Sequence, residues 1–320
     1  MLYDLAKSKP SGFFEAAMIL IRDLAMNEQK MAVPELDSEI WARVAEAADR
    51  HDQPGTFTAF TGYEWTSMIE GNNLHRVVIY KGSSGKTTRV QPVSSFDSPD
   101  PENLWRAMAD YEARTGDDVL AIPHNGNLSN GMMFETRRID GSDFDADYAQ
   151  QRARWEPLVE VTQIKGDGET HPAVSPNDEF ADYETWDVSN LGGNEAKTRD
   201  MLPGEYARSA LKIGLEVEAV TGVNPYRFGM IGSTDSHTAL ATAREENFFG
   251  KHSGMEPSPT RMTDALAKVG DHAVFGWQQV ASGLAAVWAV ENTRQALFEA
   301  MERRETFATR MERTSTASRS

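Results

Sequence analysis

Apolar residues along this chain follow two rhythms, one repeating every three to four positions and one made of short unbroken runs, and the two alternate from end to end. Residues 13–26 carry apolar side chains at helical spacing, with Glu15, Arg22 and Asp23 on the polar side, and predict an amphipathic helix. Asp37 or Ser38 is placed to cap a second helix, with Ile40, Trp41, Val44 and Ala47 as its buried stripe. Residues 57–60 predict the first strand, which runs into Gly62-Tyr63-Glu64-Trp65; after a polar turn through Gly71-Asn72-Asn73, residues 77–80 predict the next. Pro99-Asp100-Pro101 introduces a helix with Leu104, Trp105, Met108 and Tyr111 on one face, closing at Gly116. Residues 119–122 and 158–161 read as short buried strands, separated by a polar excursion with helix around 147–154. Residues 205–219 predict a helix with Ala207, Leu211 and Leu215 four apart, and the apolar run 228–231 follows it. A strand at 284–290, a helix capped by Asn292 that buries Leu297, Phe298 and Met301, and a strand at 306–308 complete the pattern. Residues 172–202 are polar and rich in Gly and Pro, which predicts a long loop, and the tail from Thr309 has no core pattern.

Strand and helix in alternation predict an α/β fold with a parallel sheet or a β/α barrel, in which chemistry collects at the C-terminal ends of strands. The 320 residues suffice for one such domain, expected over 1–308 with a frayed tail at 309–320. A formal charge of -17 argues against a nucleic-acid partner, since a phosphate-backbone binder needs basic patches. A small anionic substrate remains compatible, provided metal ions or a few local Lys and Arg residues invert the field at the site. With no cysteine, thiolate metal sites and a Cys nucleophile are excluded, and any metal must sit on His and carboxylate, a donor set that suits zinc, manganese or iron. No run approaches the length of a membrane-spanning helix, and the N-terminus carries no secretory signal pattern.

Several apolar runs end in potential ligands. The run 228–231 leads through Gly232 to Asp235 and His237, two residues apart and so on one side of an extended chain. The same letters also fit an ordinary N-cap cluster with a surface histidine. Glu64 follows the first strand, His75 precedes the second, and Pro123-His124-Asn125 follows the third. Glu64, His75, His124, Asp235 and His237 form the kind of set from which two-metal hydrolase sites are made. Arg76, Asn125, Lys165, Arg244 and Lys251 are candidates for holding a substrate anion. Glu160, Glu169 and His171 are weaker candidates, and His51 reads as a helix-end surface residue.

The order Gly-Tyr-Glu at Glu64, Leu-His at His75, Pro-His-Asn at His124 and Asp-Ser-His at Asp235 and His237 resembles the later metal-binding motifs of the PHP (polymerase and histidinol phosphatase) superfamily. Longer wordings are similar to the PHP-like domain of unknown function 3604, over nearly all of 4–308. They include Gly71-Asn72-Asn73-Leu74-His75-Arg76, Gly168-Glu169-Thr170-His171-Pro172 and Glu246-Asn247-Phe248-Phe249-Gly250-Lys251. The resemblance implies a distorted, TIM-like β/α barrel with up to three metal ions and phosphoesterase activity. It makes Glu64 a bridging carboxylate with His75 and His124 as its partners on one metal, while Asp235 serves a second metal and His237 a third. The family's opening His-x-His motif and the Asp- and His-rich motif after it are missing, so the barrel is expected to be incomplete. It would have an open edge covered by a second copy or another segment. Localisation follows neither from motif nor from composition: cytoplasmic by default, periplasmic if a signal segment precedes the chain. The resulting expectation is a metal-dependent phosphoesterase of small phosphate esters with impaired activity. The alternatives are a non-catalytic metal- or ligand-binding protein and an amidohydrolase-like C–N hydrolase.

Overall fold

The computed structural model of the chain describes residues 2–8, 16, 19, 23, 34–238, 251, 259–260, 263, 265–269, 272–279 and 283–309. Of the helix expected over 13–26, only Ala16, Ile19 and Asp23 are described, each in helical conformation, and the tail beyond 309 lies outside the described residues.

Helices α1 (Leu2–Ser8) and α2 (Pro34–His51) precede β1 (Thr61–Trp65), which lies a few residues beyond the strand expected at 57–60. A hairpin of β2 (Met68–Ile69) and β3 (Asn72–Asn73) leads to β4 (Arg76–Tyr80). The short helix α3 (Ser84–Thr87) and the long α4 (Pro101–Thr115) connect β4 to β5 (Val119–Pro123). Asp100 caps α4, accepting from the Glu102 amide, and Gly116 ends it in the left-handed conformation. Helix α5 (Ala146–Trp155) precedes β6 (Leu158–Gln163) and the short β7 (Gly166–Asp167), and α6 (Ala207–Thr221) precedes β8 (Gly229–Gly232). Strands β9 (Ala265–Val269) and β10 (His272–Phe275) pair with each other; β11 (Leu284–Val287), α7 (Arg294–Glu302) and β12 (Thr306–Thr309) finish the described chain. Thr293, rather than Asn292, caps α7. No helix among the described residues is long and apolar enough to cross a membrane.

The fold is mixed α/β, but its main sheet is not parallel. β1, β4 and β5 pair antiparallel in that order, and among the described residues only β6 with β8 is parallel. The connection from β1 to β4, residues 66–75, is too short for the crossover that parallel neighbours require. β5 lies beside β6, and β8 beside β12, so the small sheets follow one another; among the described residues they close no barrel.

Register divides the β1–β4–β5 sheet into two faces. Trp65, Arg76 and Pro123 stand in one row and Tyr63, Val78 and Ala121 in the next, all facing the helices, while Glu64, Val77 and Ile122 face the other way. The helix side is the larger core, where Trp65, Val78, Tyr80 and Ala121 meet Leu104, Trp105, Met108 and Tyr111 of α4. The other side is smaller and joins Leu120 and Ile122 to Leu158, Ile231, Phe298 and Met301.

Two helices turn differently from expectation. In α2, Trp41 and Ala45 are buried while Ile40 and Val44 are exposed. The Trp41 indole, which donates to the Thr87 carbonyl at 3.0 Å and packs on Tyr63 and Tyr80, decides the facing. In α6 the inward face is Ala207, Ala210, Gly214 and Val217, and Leu211 and Leu215 point outward. A Cβ at Gly214 would stand 2.2 Å from Asn224 Oδ1, so the segment at 224–226 approaches too closely for any but small residues on that face.

The larger core also holds charge. Glu156 accepts from Arg76 Nε and Trp105 Nε1, both at 3.0 Å, and lies 3.3 Å from Arg152 Nε. Arg152 donates further to the Met133 carbonyl and the Tyr226 hydroxyl, so the cluster is hydrogen-bonded on several sides. A second buried pair, Lys197 with Glu205, ties the loop at 172–202 to the start of α6, and Lys197 also reaches Asn130 Oδ1 at 3.2 Å.

Burial raises Glu205 to about 7 from an ordinary 4.5, against the opposing pull of Lys197. The folded state therefore favours protonation, and this group's contribution is complete below about 4.5 and lost as pH rises through about 7. Urea denaturation at pH 5 and pH 8 should show the unmodified chain losing roughly 2 kcal/mol more than Glu205→Gln over that interval. Parallel losses in the two proteins would remove Glu205 as the titrating group.

Candidate functional site

The side chains that face away from the helices build the site. His75 stands two residues before Val77 on β4, and His124 two residues after Ile122 on β5, so both share the face of Glu64. The ladder continues past the strand ends through the His124 amide, which donates to the His75 carbonyl at 3.3 Å. Asn73, fully buried, pins the same corner by donating its amide to the carbonyls of His124 at 2.7 Å and Asn125 at 3.0 Å. Asn125 takes the left-handed conformation at φ 51°, and the following Gly126 passes so close to the Glu205 carbonyl that a Cβ would lie 2.4 Å from it.

One oxygen of Glu64 receives both imidazoles, His75 Nδ1 at 2.8 Å and His124 Nε2 at 3.1 Å. The rings are almost wholly buried, whereas the Glu64 side chain is 29% exposed, so the carboxylate closes the cluster toward solvent. Burial disfavours its charge, but the hydrogen bonds with His124 and His75 outweigh it and hold the carboxyl well below the usual range. Burial pushes His75 down to about 4, so it is a neutral imidazole near pH 7. The far ring nitrogens, His75 Nε2 and His124 Nδ1, are buried without a hydrogen-bond partner.

This donor set fits a divalent ion. Ligand atoms of Glu64, His75 and His124 all lie within 4.8 Å of one another. Bonds of about 2.0–2.1 Å at a tetrahedral angle would space such atoms about 3.3 Å apart, a few tenths of an ångström from the contacts at Glu64. Two imidazoles and a carboxylate suit zinc, manganese or iron.

Asp235 and His237 reach the same place from beyond β8, forming with Glu64 a second group of donor atoms within 4.8 Å. Asp235 adopts φ 50°, a left-handed conformation that Asp tolerates better than most residues. Its carboxylate is held by two lysines: Lys165 Nζ and Lys251 Nζ both bond Oδ2. Burial lowers both amines, Lys251 to about 8, and the neighbouring Lys251 adds to the depression of Lys165. Burial, with Lys251 and Lys165 nearby, lowers His237 to about 4.

Of the candidates for holding an anion, Lys165 and Lys251 both pair with Asp235 beside Glu64 and His237. Asn125 is buried next to His124, its amide on Asn127 Oδ1 at 3.3 Å. Arg76 instead belongs to the Glu156 cluster, because alternation turns it to the helix-covered face opposite Glu64. Arg244 lies outside the described residues. Glu169 is held by Arg208 and His171 by Asp187, and neither joins the two donor groups. Glu160 is bonded by Ser233 Oγ and Gln163 Nε2 beneath the lysines. Sequence reading gave Asn73, Gln163 and Ser233 no role of their own; only the Gly71-Asn72-Asn73 wording beside His75 pointed toward the first.

A family model described as "Protein of unknown function (DUF3604)" matches residues 11–316. Neither a curated protein nor a solved structure matches the chain.

Asn73 positions His124 through the backbone, and its removal leaves two buried carbonyls without that donor. Asn73→Ala should lower unfolding free energy by roughly 1–3 kcal/mol and reduce retained metal after dialysis. A variant with unchanged urea midpoint and unchanged metal content would show that the corner holds without it.

Proposed function

This chain belongs to the DUF3604 family, and from that premise and the geometry of its site we propose that it is a divalent-metal-dependent hydrolase, a phosphoesterase of PHP type acting on small phosphate esters. In this reading its succession of small sheets is a distorted, TIM-like β/α barrel. The observation that carries the proposal is the single Glu64 oxygen shared by two buried imidazoles, with Asp235 and His237 adjoining it. Glu64, His75 and His124 would hold the ion. A bound zinc, manganese or iron ion supplies Lewis acidity that polarises a phosphoryl oxygen and acidifies water.

The chain's own residues supply the rest. Lys165 and Lys251 bring positive charge to a protein of formal charge -17, so an anionic ester is drawn to this spot rather than to the surface at large. His237, exposed and neutral near pH 7, can accept a proton from attacking water. Glu160 beneath the lysines keeps their charge near the site. An amidohydrolase-like enzyme could use the same donors, but two lysines favour an anionic, oxygen-rich group over a neutral amide.

With manganese or zinc in excess, the chain should hydrolyse an aryl phosphate, and a chelator should abolish turnover. Glu64→Gln should lower kcat/KM by roughly 100-fold, about 2.7 kcal/mol of barrier. His75→Ala should lower metal content after dialysis. Metal retention without turnover of phosphate esters would leave a binding protein, and full activity in Glu64→Gln would overturn the assignment of this carboxylate.

A further inference from the structure

The group formed by Glu64, Asp235 and His237 has the spacing of a second cation site, yet a lysine ammonium already stands against two of its members. Lys251 is 8% exposed, and its ammonium donates to Asp235 Oδ2 at 2.5 Å and to the Asp235 carbonyl at 2.7 Å, and stands 3.2 Å from His237 Nδ1, which is itself 2.9 Å from that carbonyl. Of the three N–H donors of an ammonium, Asp235 takes two. Asp235 can offer both its carbonyl and its carboxylate to one nitrogen, and it does so from the left-handed conformation at φ 50°. The His237 amide, donating to the Lys251 carbonyl at 2.7 Å, ties the two segments together. Lys165 bonds the same Asp235 oxygen from the other side.

We propose that the Lys251 ammonium is the resident cation of the Glu64–Asp235–His237 group, in the place a second divalent ion would otherwise take. The site then works with one metal ion and one built-in ammonium. This rests on the reading of Glu64, His75 and His124 as the ion-holding set. It also defines how substrate binds. The longest of the three contacts is to His237, whose side chain is 44% exposed, so it is the contact a substrate oxygen displaces at least cost. The ligand class is a compound with an anionic, non-bridging oxygen, and that oxygen accepts from Lys251 Nζ while the rest of the ester faces the ion on Glu64.

The test counts ions and needs no turnover. The full chain, loaded with manganese alone and passed through gel filtration, is analysed for bound metal beside Lys251→Met, Asp235→Asn and the double variant, with circular dichroism to confirm folding. The unmodified chain should retain one ion, and Lys251→Met should gain a second because His237 and the Asp235 carbonyl lose the ammonium and the Asp235 carboxylate keeps only its contact to Lys165. Asp235→Asn, which keeps a side chain suited to positive φ, should retain one ion, as should the double variant. Two ions on the unmodified chain, or one on folded Lys251→Met, would overturn the proposal. Loss of the ion in Asp235→Asn would also overturn it, and this arm decides the matter if Lys251→Met does not fold. An unmodified chain without metal whose Lys251→Met variant gains one ion would remove the Glu64–His75–His124 reading and leave Lys251 in its place; no ion on either would remove both.

Discussion

Side-chain alternation across the antiparallel ladder of β1, β4 and β5 is the constraint on which the rest of this structure depends. It sends Trp65, Val78, Tyr80 and Ala121 into the core beneath the helices and Glu64, His75 and His124 to the other side. A slip of one residue would exchange the faces, placing a carboxylate among the aromatic rings and a tryptophan at the site. The large core therefore does more than stabilise. By fixing register it brings a glutamate and two histidines, spread over sixty residues of sequence, onto one oxygen.

The two faces also treat charge differently. On the helix side, guanidiniums serve: Arg76 hydrogen-bonds Glu156 and Arg152 pairs with it, and Arg152 bonds the Met133 carbonyl and the Tyr226 hydroxyl as well, an arrangement suited to permanent burial. On the site side the cations are lysines, compact and nearly buried around Asp235, next to an exposed histidine. An ammonium is closer in size and charge density to a metal ion than a guanidinium is. The acidic chain as a whole repels anions, and these two amines are the cations that adjoin Asp235.

Much of this was legible in the sequence. The short apolar runs located β1, β4, β5, β6, β8, β11 and β12 to within a few residues, because buried strands need unbroken apolar letters, while β9 and β10 and the two-residue strands went unread. The ends of those runs singled out Glu64, His75, His124, Asp235 and His237, since potential ligands stand there on four separate segments. Lys165 and Lys251 were also visible as charges next to those motifs. The absence of cysteine fixed the donor chemistry as imidazole and carboxylate before any geometry was known.

Other features depended on partners distant in sequence. Periodicity gives a helix an apolar side but not its final rotation, so Trp41 displaced Ile40 and Val44 from the interior, and the close approach of Asn224 and Tyr226 to Gly214 turned Leu211 and Leu215 outward. Strand direction was equally hidden, because antiparallel and parallel ladders can be built from the same apolar runs and only the connections separate them. Arg76, adjacent to His75, looked like an anion ligand until alternation placed it on Glu156. The sequence by itself determined which residue types the site could use; tertiary structure alone decided that Asp235 would meet two lysines, because that contact joins residues 165, 235 and 251, whose proximity arises only when the strands and their loops are packed together.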